Sequence, residues 1–235
     1  DRAQRKAWEL VRMFCALFSP SRDFMGFVSE YLNEVATRGS AEIQSLARAS
    51  LHMMKRASKR AMRRYEPTAE EIIAFARGEE LRVVVSFLDG TFEDLAYDLT
   101  TTVKEAVEEL AQAINLTNHS TFSIFTVRKF FGKIAPLVKE ALLSEEHQDA
   151  GDASFLVDAL ADIRKMKSDA TPSKATTMQT GLVFKKRMFR ESDESIDEPT
   201  FSLLSYVQAK HDFMMGNYPL SRDDAALLAA LEVQA

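Results

Sequence analysis

Cysteine occurs once in this sequence, at position 15, so no internal disulfide can form. That usage fits a reducing compartment, and a cytoplasmic location is expected. Histidine is almost as scarce. His52, His119, His147 and His211 are the whole set, and none stands at metal-ligand spacing from another ligand. No stretch approaches 18 consecutive apolar residues, which excludes a membrane-spanning helix. The phosphate-cradling pattern G-x-x-x-x-G-K-S/T is absent. The acidic pairs Glu108-Glu109 and Asp223-Asp224 are adjacent in sequence, so they do not converge on one point as a general acid and base must. His211-Asp212 has no nucleophile to serve and reads as helix surface or lobe packing. Cys15 lies on an apolar helix face and reads as a small core hydrophobe. The chain is therefore expected to be non-catalytic, with no catalytic residue, no metal and no cofactor of its own.

What is present is an ordinary globular balance. Of 235 residues, 46% are apolar and 28% charged, which rules out a disordered chain and predicts one to two domains. The net charge of −5 hides an asymmetry. Residues 1–66 carry 13 Lys/Arg against 7 Asp/Glu, whereas residues 67–235 carry 17 against 28. Such a division speaks to partners and solubility rather than to fold. The sequence starts and stops without a natural boundary and is expected to be a fragment.

Periodicity divides the chain into three zones. The first, about residues 2–77, is helical. Trp8, Val11, Cys15 and Phe18 recur at spacings of three and four, and Phe24, Phe27, Val28, Tyr31, Leu32 and Val35 repeat the pattern. Ser19-Pro20 separates these two helices. Ser40 is placed to cap a third with its hydroxyl, and that helix is expected to run to about Arg64. Thr68 and Glu71 are spaced as the capping box of a fourth, with Gly78 as its stop.

The second zone, 81–188, mixes strands and helices. Leu81, Val83, Val85 and Phe87 alternate with smaller or polar residues, Asp89-Gly90 predicts a hairpin turn, and 91–97 returns as the second strand. Thr102 and Glu105 form another capping box ahead of the apolar stripe Val103, Ala106, Val107, Leu110 and Ile114. Residues 121–127 read as a strand, Phe155 to Ile163 as a short helix, 168–181 as a polar loop and 182–188 as the last strand. Residues 128–150 have no clear pattern. The order of elements is that of a ubiquitin-like roll.

The third zone is helical again. Pro199 suits a first helical turn, Gly216-Asn217-Tyr218-Pro219 interrupts, and Ser221 caps a helix whose first turn holds Asp223 and Asp224. The run Glu191-Ser192-Asp193-Glu194-Ser195-Ile196-Asp197-Glu198 between the zones reads as a solvated acidic linker, with phosphorylation of its serines as the sharper alternative.

Local motifs carry a resemblance. Leu204-Ser205-Tyr206-Val207-Gln208, His211-Asp212, Gly216-Asn217-Tyr218-Pro219 and Arg222-Asp223-Asp224-Ala225-Ala226 resemble the opening helices of the second FERM lobe. Thr100-Thr101-Thr102-Val103 with Ala106-Val107 resembles the helix start of the first, ubiquitin-like lobe. Trp8-Glu9-Leu10 with Phe18-Ser19-Pro20-Ser21 resembles a myosin tail homology 4 domain entered partway. The stretch from Phe184 to Glu194 is similar to the tail of the calmodulin-regulated, minus-end-directed kinesins of plants and algae. The resemblance implies an α+β multidomain fold. Residues 1–78 would be the C-terminal part of the myosin tail homology domain, 79–190 the ubiquitin-like lobe, and 191–235 the start of the helical lobe. It further implies a non-catalytic tail module of a cytoskeletal motor. The motor, its ATPase, the calmodulin-binding helix and the third FERM lobe would lie outside this chain.

One feature points to a partner. Arg48, Lys55, Arg56, Lys59, Arg60, Arg63 and Arg64 include no intervening acid. On a continuous helix of about 100° per residue, all seven fall with His52 in one half of the wheel. Leu51, Met54, Ala57, Ser58, Ala61 and Met62 fill the other half. The like-charge i,i+4 pairs within this set each cost roughly 0.2–0.5 kcal/mol in an isolated helix. One reading is a solvated face partly neutralised by acids of the other lobes. The other is a face that meets an anionic partner. The resemblance makes that partner the acidic surface of a microtubule, with a cargo protein or anionic membrane as further possibilities. Nucleic acid is not expected, since no aromatics interleave with the basic residues. A different class of function, an adaptor of the general FERM type linking cytoskeleton to membrane or receptor tails, stays open. So does the tail of an unconventional myosin.

Overall fold

A computed structural model of the chain describes residues 2–60, 62–132, 141–169 and 176–234. Four helices come first: α1 (Arg2–Leu17), α2 (Arg22–Arg38), α3 (Ala41–Ala57) and α4 (Ala69–Arg77). α3 packs against both α1 and α2. Their shared core holds Trp8, Cys15, Leu32, Ala36, Ala47 and Met54. Trp8 stacks on Tyr31 at 6.2 Å between ring centroids. The apolar stripes are wider than this interface needs. Phe14, Phe18, Phe24 and Phe27 remain more than half exposed, although the spacing of Phe18, Phe24 and Phe27 matches that of the buried residues. The capping box predicted for α4 is formed, with Thr68 and Glu71 exchanging hydrogen bonds, and Gly78 ends the helix at φ 71°, a left-handed conformation that glycine adopts without a steric penalty. Ser40 occupies the N-cap position of α3, but its hydroxyl makes no capping bond.

The second unit is a five-stranded sheet with helices. Its strands are β1 (Leu81–Ser86), β2 (Phe92–Tyr97), β3 (Phe122–Gly132), β4 (Ala141–Asp149) and β5 (Thr176–Lys186), in spatial order β2-β1-β5-β3-β4. β1 and β5 are parallel and the other neighbours antiparallel. Gly90, at φ 88°, makes the β1–β2 turn predicted from Asp89-Gly90. Helices α5 (Val103–Ala113) and α6 (Leu156–Asp169) cover the sheet, and the core joins Val103, Val107, Leu110 and Leu156 to Ile124, Leu182 and Phe184. Phe122 stacks on Phe184 at 5.2 Å. This is the ubiquitin-like roll that the element order implied, with two corrections. The unpatterned stretch 128–150 contains the end of β3 and all of β4. The expected loop 168–181 is shorter than predicted: α6 runs to Asp169, and 176–181 is the first half of β5, paired with 127–132 across the sheet. The positions between, 170–175, lie outside the described residues. Thr176, Thr177, Gln179 and Thr180 enter a strand because β3 supplies a full ladder of backbone partners, a long-range contact that composition does not reveal.

The third unit is α7 (Pro199–Met214) and α8 (Arg222–Gln234), reached through a short 3₁₀ turn at Glu191–Ser195. Ser221 accepts the Asp224 N–H at 3.1 Å, as its capping role requires. The acidic linker is more than a solvated run. Asp193 holds Lys186 Nζ at 2.7 Å, and Glu198 accepts the backbone N–H groups of Thr117 and Asn118. Lys186 is fully buried, with the Phe201 ring 4.0 Å from its ammonium, and Gln208 of α7 brackets the Lys186 backbone with bonds of 2.7 and 2.9 Å. α7 is thereby pinned to the end of β5. Between α7 and α8 runs an apolar groove of about 630 Å³, lined in part by Tyr206, Phe213, Met214, Leu228 and Val233.

Candidate functional site

The basic strip predicted on one helix face is divided by the structure. α3 ends at Ala57, so the seven cations do not share a continuous helix. The helix closes in i→i−3 bonds, from the Lys59 N–H to the Arg56 carbonyl and from the Arg60 N–H to the Ala57 carbonyl, and further on the backbone donors are taken elsewhere. The carboxylate of Asp158, with its side chain 1% exposed on α6, accepts the N–H of Arg64 at 3.1 Å and that of Tyr65 at 3.3 Å. Those donors cannot also close an α-helical turn.

Four of the five guanidinium groups in the strip reach acids, either across the boundary between the helical unit and the sheet unit or on α4. Arg56 and Arg60 both bind Glu105 Oε1, at 2.8 and 2.5 Å. Arg60 also donates to the Thr100 carbonyl, and its side chain is 10% exposed. Arg64 binds Asp162 at 2.6 Å, and the Tyr65 hydroxyl donates to the other oxygen of that carboxylate at 2.6 Å. Arg63 is the deepest. It meets Glu71 at 2.5 Å with 4% and 2% of the two side chains exposed, and Arg164 of α6 reaches the other Glu71 oxygen at 3.3 Å. Glu71 at the same time accepts the Thr68 N–H at 3.1 Å, so one carboxylate caps α4 and ties α4 to α6.

The electrostatics follow from these contacts. Burial alone would raise the Glu105 carboxyl. Hydrogen bonds from Thr102 and the nearby Arg60 more than reverse this and hold it below its ordinary range. Burial lowers the Arg60 guanidinium against the opposing pull of Glu105. For Arg64 the desolvation penalty is outweighed by the hydrogen bond to Asp162, and its pKa rises.

The remaining members of the strip stay outward. Arg48 is exposed and donates to the Ala36 carbonyl at 3.2 Å. Lys55 and Lys59 are exposed, and among the described residues neither ammonium forms an ion pair. Lys59 borders a cleft of about 520 Å³ whose lining mixes the cations Arg56, Arg60 and Lys104 with Glu105, Glu108 and Asp152. Cys15 is 7% exposed, and burial pushes its thiol pKa up, in keeping with a packing role.

The acids that hold the strip were not singled out by sequence reasoning. Asp158 had a signal, since it interrupts the apolar run Phe155-Leu156-Val157 and Ala159-Leu160-Ala161. A charge on an apolar stripe is expected to have a buried partner. Glu71 and Glu105 were recognised as capping residues, and their second role is visible only in three dimensions.

Three known protein families match the chain end to end: a MyTH4 domain over residues 1–74, an RA-like domain over 79–188 and a FERM central domain over 191–235. Among curated proteins, the chain is 40% identical over 230 residues to Kinesin-like protein KIN-14I of Oryza sativa subsp. japonica, covering 97% of this chain and 18% of that protein. It is 41% identical to Kinesin-like protein KIN-14E of Arabidopsis thaliana, with the same coverages. The chain thus spans under a fifth of the length of these relatives. Among solved structures, a mutant of the MyTH4-FERM MF1 domain of Dictyostelium discoideum myosin VII superposes with a TM-score of 0.69 at 21% identity, covering 93% of this chain and 42% of that one.

Proposed function

Since the chain carries a MyTH4 domain followed by FERM-type lobes, we propose that it is a non-catalytic tail segment of a kinesin-like cytoskeletal motor, binding microtubules or a cargo while ATP is hydrolysed elsewhere in the parent. The observation that carries this reading is the 40% identity to plant kinesin-like proteins across 97% of the chain. Such a segment needs no cofactor or metal, and it acts in the cytoplasm on the cytoskeleton. Calmodulin would act on the parent only through parts outside these residues.

The geometry refines which cations could meet a filament. Arg56 and Arg60 are tied to the ubiquitin-like lobe through Glu105, and Arg63 is buried against Glu71 of α4. The attachment surface we propose is Lys55 and Lys59, flanked by Arg48 and by the Arg64 side chain, which is 49% exposed. Attraction between exposed charges and an acidic filament surface is screened over about 8 Å at physiological ionic strength, so the binding is expected to fall steeply with salt.

Microtubule co-sedimentation at low and moderate salt tests this. Lys55→Glu/Lys59→Glu should retain the circular-dichroism spectrum of the unaltered chain and lose salt-sensitive binding. If the unaltered, folded chain does not sediment with microtubules, the microtubule reading fails. Anionic vesicles run in parallel then report on the adaptor alternative.

A further inference from the structure

Two of the four histidines meet across the boundary between the lobes. Glu145 on β4 has a side chain only 2% exposed and lies between His147 Nε2 at 2.7 Å and His211 Nε2 at 3.2 Å. Lys129 Nζ of β3 stands 3.3 Å from the same carboxylate. The two imidazoles are 6.1 Å apart. Glu145, His147 and Lys129 belong to the sheet, whereas His211 comes from α7. Glu145 is therefore a carboxylate of one lobe gripped by an imidazole of the other, on the edge strand of the sheet.

The surroundings are charged on every side. Lys185 of β5 lies with its ammonium 4.9 Å from the centre of the Phe125 ring, and it feels both Asp212 and Glu145. Asp212, the α7 neighbour of His211, is buried, stands 3.6 Å from His211 Nδ1 and binds Asn217 Nδ2 at 3.1 Å. Tyr218, in the turn beyond α7, is close enough for Asp212 to raise its phenol pKa, after burial as the larger cause. Among the described residues, the buried Nδ1 atoms of His147 and His211 find no hydrogen-bond partner.

We propose that this cluster is a proton-dependent latch, in which the His211 imidazolium clamps the end of α7 to β4 through Glu145 and loss of its proton frees that end. Glu145 remains ionised throughout the relevant range. Burial would raise its carboxyl, but the hydrogen bonds from His147 and His211, with Lys129 beside it, hold it well below the usual carboxylate range. His211 is the group that changes. Its hydrogen bond to Glu145 raises its pKa above the ordinary 6.5, against the opposing effect of burial. A group with a raised folded-state pKa contributes docking that is fully present below pH 6.5 and is lost as pH climbs through the folded value. The release is local. Phe201 is seated in the sheet core, and Gln208 is bonded twice to the Lys186 backbone, so the helix up to Gln208 stays docked. What is freed is the stretch beyond it, 209–218.

The test is an NMR titration of the whole 235-residue chain between about pH 5.5 and 8.5, reading the His211 ring and the amide exchange of 209–215 corrected for intrinsic rates. His211 is expected to titrate above 6.5. Protection of 209–215 should fall by about tenfold for each pH unit that separates the His211 pKa from 6.5, while 200–206 stays unchanged. His211→Gln should keep the fold and abolish the pH dependence. Glu145→Gln should return the His211 pKa to 6.5 or below. An unaltered chain in which His211 titrates at or below 6.5, or a pH dependence of 209–215 that survives His211→Gln, overturns the proposal. The second result stands even if Glu145→Gln does not fold.

Discussion

Arg63→Met should damage this protein far more than reversing the charge of a neighbouring lysine. Arg63 and Glu71 are both nearly excluded from water and 2.5 Å apart. Removing one partner of a buried ion pair costs about 3–5 kcal/mol, because the other charge is left uncompensated. Glu71 would keep the Thr68 N–H and Arg164, so the lower end, about 3 kcal/mol, applies. In a chain of this size that lowers the melting temperature by about 6–12 °C. Trp8 is the sole tryptophan and lies in the MyTH4 core, so its fluorescence reports the helical unit while far-ultraviolet dichroism reports the whole. Arg63→Met is measured beside Lys59→Glu, whose side chain is exposed, and beside Glu71→Gln and Arg63→Met/Glu71→Gln. Lys59→Glu should stay within about 0.5 kcal/mol of the unaltered chain. The double variant should recover part of the loss, since no buried charge is then orphaned. An Arg63→Met chain as stable as Lys59→Glu, or a double variant whose loss equals the sum of the singles, would refute the account of Arg63 as a buried structural tie.

Two further outcomes follow from the same reasoning. At the other junction, Asp193→Asn strands the fully buried Lys186 ammonium and should cost about 3 kcal/mol, whereas Lys186→Met leaves Asp193 near the surface with its Arg190 N–H bond and should cost less; paired denaturation midpoints give the order. Cys15, buried and with its thiol pKa raised, should react with a neutral thiol reagent much more slowly in the native protein than in urea; equal rates would show that the α1–α3 core opens freely.

Much of the architecture was legible because it is written in local rules. The two capping boxes at Thr68/Glu71 and Thr102/Glu105, the Gly78 stop and the Asp89-Gly90 turn act within four or five residues, and each holds in the fold. Apolar spacing located the first helices but not which of their aromatics are buried, since Phe18, Phe24 and Phe27 share the stripe and stay exposed. The motifs of the helical lobe and of the ubiquitin-like helix start similarly pointed to the domain types. Reading failed where partners are distant in sequence. β4 and the first half of β5 are strands because β3 offers them a ladder, with polar side chains that carry no period of their own.

The basic strip shows the division most clearly. By itself the sequence determined that residues 48–64 hold seven cations and no acid, and that the chain around them is otherwise acidic. Whether those cations form one exposed face was decided by tertiary structure alone. Asp158 takes the backbone donors that a longer α3 would need, and Glu71, Glu105 and Asp162 draw in four guanidinium groups, leaving the two lysines outward. The same holds at Glu145, where the residues of the latch come from three separate elements. Charge is a property of the residue, but its exposure and its partner depend on which distant carboxylate the fold brings within about 3 Å.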